Sequence, residues 1–92
     1  MIVRILSEGQ FEVPDGEVDR LNELDDAVHA AIKANDASAF SAALGVLLEA
    51  VREVGGPVSD DDLAVSDAIL PPADATIDEA SELLRDDGLI PG

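Results

Sequence analysis

The sequence predicts an α+β domain: an N-terminal β-hairpin packed on an antiparallel αα-hairpin, with a short C-terminal helix. Three observations predict it. Apolar residues near the start alternate with period two. Two long segments then carry apolar residues at three- and four-residue steps and are joined by Asn35-Asp36. A helix-start signature at Thr76–Glu79 follows a Pro-Pro pair. At 92 residues the chain is expected to form a single domain over 1–92, too small for a doubly wound nucleotide fold or a barrel of eight strands and helices.

Ile2-Val3-Arg4-Ile5-Leu6 reads as the first strand. Ser7-Glu8-Gly9 reads as a turn, with Gly9 taking the unusual dihedral, and Gln10-Phe11-Glu12-Val13 as the returning strand. Two strands alone are marginal, so one face should rest on helices. Pro14 closes the hairpin, and Asp15 is expected to cap a helix reaching about Ala34. Leu21, Leu24, Val28 and Ile32 form its apolar stripe, with Val18 and Ala31 at the margins and Asp19, Glu23, Asp25 and Asp26 outside it. Asp36 should cap a second helix whose stripe is Phe40, Leu44, Leu47, Val51 and Val54, stopped by Gly55-Gly56-Pro57. A short turn capped by Ser59 and Asp62 is expected to pass through Leu63–Val65. Ala68-Ile69-Leu70, ahead of Pro71-Pro72, fits either a third strand or a buried extended segment. Thr76 and Glu79 make a reciprocal capping box for the last helix, which Gly88 ends, and the Leu89-Ile90 tail should dock on the body.

Composition narrows the function. There are 21 acids against 5 bases, a formal charge of −16, yet 47% of the residues are hydrophobic. That combination argues for a folded acidic module rather than a disordered tail. The bases Arg4, Arg20, Lys33, Arg52 and Arg85 are scattered, so direct contact with nucleic acid or anionic lipid is disfavoured and a basic protein partner is compatible. The absence of Cys excludes thiol chemistry and Cys-ligated zinc. Met1–Leu6 is too short for a secretory leader, and no apolar run approaches the ~18 residues of a membrane span. A cytoplasmic location is therefore expected.

Chemistry has few candidates. His29 is the sole histidine and stands four residues after Asp25, a pairing that needs no function. Asp60-Asp61-Asp62 with Asp67 is the densest carboxylate cluster, but it lacks the spacing, Gly and closing Glu of a calcium loop. Gly55-Gly56 lacks the Lys and Ser/Thr of a phosphate loop. No catalytic residue, cofactor or metal is assigned. The residues assigned to a candidate partner surface are Glu8, Gln10, Phe11 and Glu12 on the hairpin, and Leu89 and Ile90 in the tail. The acid face of the first long helix is a further candidate.

Four stretches in order and spacing span nearly the whole chain: Met1–Val13, Leu21–Asp26, Ala68–Thr76 and Asp87–Gly92. Through them the sequence resembles the PspA-associated (PspAA) domain family. Ser7 stands where that family often has Gly, and Phe11 where Tyr is common. The resemblance implies a non-enzymatic accessory protein in envelope stress. It would bind a PspA-like protein, a long helical membrane remodeller, or an associated membrane component, and reach the inner membrane face through that partner. The family brings no catalytic residues to carry over. Two other readings stay open: an acidic mimic of nucleic acid that binds a basic protein, and a small enzyme with a dimeric site involving His29. The sequence leaves self-association open.

The acids are mostly Asp, 13 of 21, and four of the five bases are Arg. This bias resembles proteins of salt-loving cells and points to a haloarchaeal member. So few bases offset the acids that the folded chain should repel itself in dilute salt. The melting temperature should rise between dilute buffer and about 2 M KCl, where screening acts within a few ångströms. An unchanged value refutes the reading.

Overall fold

The computed structural model describes residues 1–6, 8–58 and 67–83. Strand β1 (Ile2–Ile5) turns into β2 (Gly9–Glu12). A single 3₁₀ turn at Asp15–Glu17 leads into α1 (Val18–Ala34), which is followed by α2 (Ala37–Val54). Two further short strands, β3 (Gly56–Val58) and β4 (Ala68–Leu70), precede α3 (Ile77–Leu83).

The four strands form one sheet in the order β3-β2-β1-β4. The hairpin pairs Ile2 with Glu12 and Ile5 with Gly9. At its turn the Glu8 N–H donates to the Ile5 carbonyl at 2.9 Å, and Gly9 takes φ +113°, which a side chain would resist. Ala68–Leu70 is a strand, resolving the alternative left by the sequence. It runs parallel to β1, with Val3 beside Ala68 and Ile5 beside Leu70. Asp67 fixes that register from both ends of one residue. Its N–H donates to the Ile2 carbonyl at 2.8 Å, and its carboxylate accepts from the Ile2 N–H at 2.8 Å.

The expected architecture holds: the hairpin rests on the two long helices. Val3, Ile5 and Val13 join Leu21 and Val28 of α1 and Phe40, Leu44, Leu47, Leu48 and Val51 of α2 in one core, with Leu70 and Ala80 beside them. Full burial of each large aliphatic contributes about 1.5–3 kcal/mol relative to exposure. Asp36 caps α2 as expected, accepting from the Ala39 N–H at 3.1 Å. Asn35 makes the link between helices by adopting the left-handed region, φ 53°. The Thr76–Glu79 box forms in both directions: the Thr76 N–H donates to Glu79 Oε1 at 3.1 Å, and the Glu79 N–H donates to Thr76 Oγ1 at 3.2 Å.

Three expectations need correction. Asp15 does not cap α1. The chain makes a 3₁₀ turn there, closed by the Glu17 N–H on the Pro14 carbonyl at 2.9 Å, and α1 starts from Glu17 without a side-chain cap. Pro14 is extended, at ψ 144°, and the tighter turn lets the chain enter the helix directly. Asp25 is not on the solvent face: it is 2% exposed, four residues after Leu21 and three before Val28 on the buried arc of α1. Helical spacing puts it there, whatever its charge. Gly56-Pro57-Val58 is more than a helix stop, because it adds an antiparallel strand to β2 with Phe11 beside Pro57. Pro57 fits because β3 is an edge strand, where its missing N–H costs no ladder bond. The cap at Ser59 and Asp62, the Leu63–Val65 turn, Ser7, Gly88 and the Leu89-Ile90 tail lie outside the described residues.

Gly55 joins α2 to β3 at a point of close approach. A Cβ there would lie 2.6 Å from the Val51 carbonyl oxygen and 3.0 Å from the Phe11 Cβ. Gly45, inside α2, faces open space. Gly55→Ala should lower unfolding free energy by about 1–3 kcal/mol through forced displacement. Gly45→Ala should raise it by up to about 1 kcal/mol through helix propensity. Urea unfolding of the two variants measures both signs.

Candidate interaction surface

Pleating sorts the strand residues into two faces. Val3, Ile5, Ala68 and Leu70 are fully buried against the helices. The intervening residues face outward. One lateral row across the sheet reads Val58, Gln10, Arg4, Ile69, and the next reads Gly56, Glu12, Ile2. Arg4 and Glu12 are exposed, while Ile2, Gln10, Val58 and Ile69 are half-buried. Leu6, at the hairpin turn, is 52% exposed. The outer sheet face thus mixes aliphatic surface with one base, one acid and one amide.

The sequence-assigned surface residues separate. Gln10 and Glu12 lie on this outer face. Phe11 points the other way, half-buried and packed against the core. Glu8 leaves the hairpin turn to meet Arg52 of α2: Arg52 Nε donates to Glu8 Oε1 at 2.6 Å, and Arg52 Nη2 donates to Glu8 Oε2. The fork geometry makes this a two-point tie between sheet and helix. Hydrogen bonding from the Arg52 guanidinium holds the Glu8 carboxyl below the usual carboxylate range, with a smaller opposing push from desolvation. Leu89 and Ile90 lie outside the described residues, as does Asp60–Asp62. Asp67, the remaining member of that acidic cluster, is occupied by the Ile2 N–H.

On the helical side of the molecule the sequence reading passed over a groove. It is lined by Arg20 and Leu24 of α1 and by Val46, Glu49, Ala50 and Glu53 of α2. Val46 is 53% exposed. It was legible as the large aliphatic of α2 that stands farthest round the helix from the Phe40–Leu44–Leu47–Val51 stripe. A second depression lies where the α1–α2 link meets the start of α3, lined by Asn35, Phe40, Ser41 and Ala75–Asp78.

Neither depression is lined by the histidine. His29 is half-buried on α1, one residue past the fully buried Val28. Among the described residues no group of three or more His, Cys, Asp or Glu side chains is placed to hold a metal ion. Among the same residues no helix is long and apolar enough to cross a membrane.

The whole chain, residues 1–92, matches the family model described as PspA-Associated protein. No curated protein and no solved structure gives a significant match.

The Glu8–Arg52 tie has a pH signature. Its carboxyl is depressed in the folded chain. The stability it adds is therefore present above the unfolded carboxylate value, near about 4.3, and is lost as pH falls through the lower folded value. Both side chains are partly solvated, 30% exposed for Glu8 and 40% for Arg52, so the effect is screened. Wild type should exceed Glu8→Gln by on the order of 0.2–1 kcal/mol at neutral pH and fixed ionic strength. The two should converge on acidification. Thermal melts across pH measure this, and a difference that ignores pH refutes it.

Proposed function

The chain belongs to the PspA-associated protein family, and from that membership we propose that it is a non-enzymatic accessory protein. It binds a PspA-like membrane-remodelling protein, or a membrane component acting with it, and adjusts assembly or recruitment in the envelope stress response. The full-length family match carries this reading. The surface features agree with it: an outer sheet face that mixes aliphatic and polar side chains, and a groove between the long helices, are both candidate contacts.

The outer sheet face, with Gln10 and Glu12, is the proposed contact for the PspA-like protein, and Leu89 and Ile90 are proposed from the sequence as further contact residues. Glu8 and Phe11 serve that contact indirectly, as the tie to α2 and the inner-face support of β2. At −16 the protein is repelled by anionic headgroups and by nucleic acid, so membrane contact falls to the partner. The protein works in the cytoplasm and is carried to the inner membrane face.

Size-exclusion chromatography with light scattering tests the reading, with this protein and the PspA-like protein of the same organism mixed in about 2 M KCl to screen non-specific attraction. A co-eluting complex of defined mass is expected. Separate elution of two folded proteins overturns direct binding.

A further inference from the structure

From the groove between α1 and α2, we propose a second docking surface, which seats an amphipathic helix from a partner protein, with the basic flank of that helix along α2. Its floor is Leu24, Val46 and Ala50. The helices are antiparallel, so the three- and four-residue steps carry that floor toward the link through Ala27 of α1 and Ala43 and Ala39 of α2, which are exposed or half-buried. Ala side chains there let another helix approach closely, at the 8–10 Å or so between packed helix axes. Glu49 and Glu53, one turn apart and exposed, form the rim on α2. Arg20 stands on the α1 side.

Charge selects the occupant. The rim on α2 is a carboxylate pair, so a helix lying along the floor meets acids with one shoulder and needs Lys or Arg there. A second copy of this chain is a poor occupant: it would bring another formal charge of −16 to an acidic rim. Its five bases are scattered, with no two at helical spacing in one element. A helix with an aliphatic face and a basic shoulder satisfies both the floor and the rim. Such a helix would use the side of the molecule away from the outer sheet face, on which Gln10 and Glu12 lie. The protein then has two working faces and bridges two partner segments. This rests on the reading of the protein as a binding module and not on the identity of its partner.

The chain has no Trp or Tyr, so a probe peptide is seen without background. The probe is a synthetic amphipathic helix of about three heptads, with Leu and a single Trp on one face, Lys along one flank and Ala elsewhere. It is titrated with the intact protein in about 2 M KCl. A saturable blue shift of the Trp is expected. Val46→Asp separates seating from charge attraction. It adds an acid at an exposed position, so attraction alone predicts equal or tighter binding, whereas a groove seat predicts at least a tenfold loss. The double substitution Glu49→Lys, Glu53→Lys should weaken binding several-fold, with far-ultraviolet circular dichroism showing both variants folded. No blue shift with wild type, or unchanged or tighter binding by Val46→Asp, overturns the proposal. So does light scattering that shows the wild type alone to be a dimer that Val46→Asp dissociates, since the groove is then filled by a second copy. Co-elution with the PspA-like protein is scored separately: its failure removes the proposed function and leaves the groove result standing.

Discussion

The packing of α2 against both the sheet and α1 is the interaction on which the rest of the molecule depends. Phe40, Leu44, Leu47, Leu48 and Val51 are buried along one arc, and Ala50 faces the neighbouring helix seam. Everything at the end of that helix follows from where it is held. Arg52 reaches Glu8 on the hairpin, and Gly55 passes β2 so closely that a side chain would strike the Val51 carbonyl and Phe11. Val58 then arrives beside Gln10 as the outermost strand. Loosening α2 would therefore release the hairpin turn, the sheet edge and the outer row of side chains together.

The heavy acid load is less uniform than the net charge suggests. Several carboxylates have defined structural work. Asp36 caps α2, Asp67 clamps the start of β1, Glu79 completes the box at α3, and Glu8 engages Arg52. Asp25 goes into the protein interior. Glu49 and Glu53 stand on the rim of a groove with an aliphatic floor. The surface charge is thus divided between groups already bonded to the backbone or to Arg52 and groups left to face solvent and partners. Only the second set can govern recognition, and it is distributed differently on the two sides of the molecule. The sheet side shows Arg4 and Glu12 among aliphatics, and the helical side shows paired Glu residues.

Local signals were legible where one residue type has one good conformation. The Thr76–Glu79 box, the Asp36 cap and the Gly9 turn all follow from side chains that satisfy backbone donors or tolerate positive φ. The helix stripes were legible because period 3.6 sorts residues without reference to the rest of the fold. What the sequence hid was non-local. Nothing in Gly56-Pro57-Val58 resembles a strand, since Gly and Pro are both disfavoured; it pairs because α2 delivers it beside β2. Asp25 was hidden for the opposite reason: its chemistry argues for solvent while its helical phase puts it in the core. The candidate surface was legible only in part. Alternation placed Gln10 and Glu12 outward, but the same alternation sends Phe11 inward, and the bond from Glu8 to Arg52 spans 44 residues. The α1–α2 groove needs both helices in place before Leu24 and Val46 become neighbours.

Strand β1 is central in the sheet, yet its two neighbours come from very different distances along the chain. β2 follows within a few residues, whereas β4 pairs with β1 across more than sixty, from Val3 to Ala68. During synthesis the hairpin emerges before the long helices and β4, and it is marginal alone. The far edge of β1 then stays unpaired until both long helices and β4 have left the ribosome. Until then that edge is a template for any extended peptide nearby. At about 5–20 residues per second the exposure lasts several seconds. Arg4 in the middle of β1 places a charge on that open ribbon, and charged side chains on an unpaired edge are a recognised guard against its pairing with another chain.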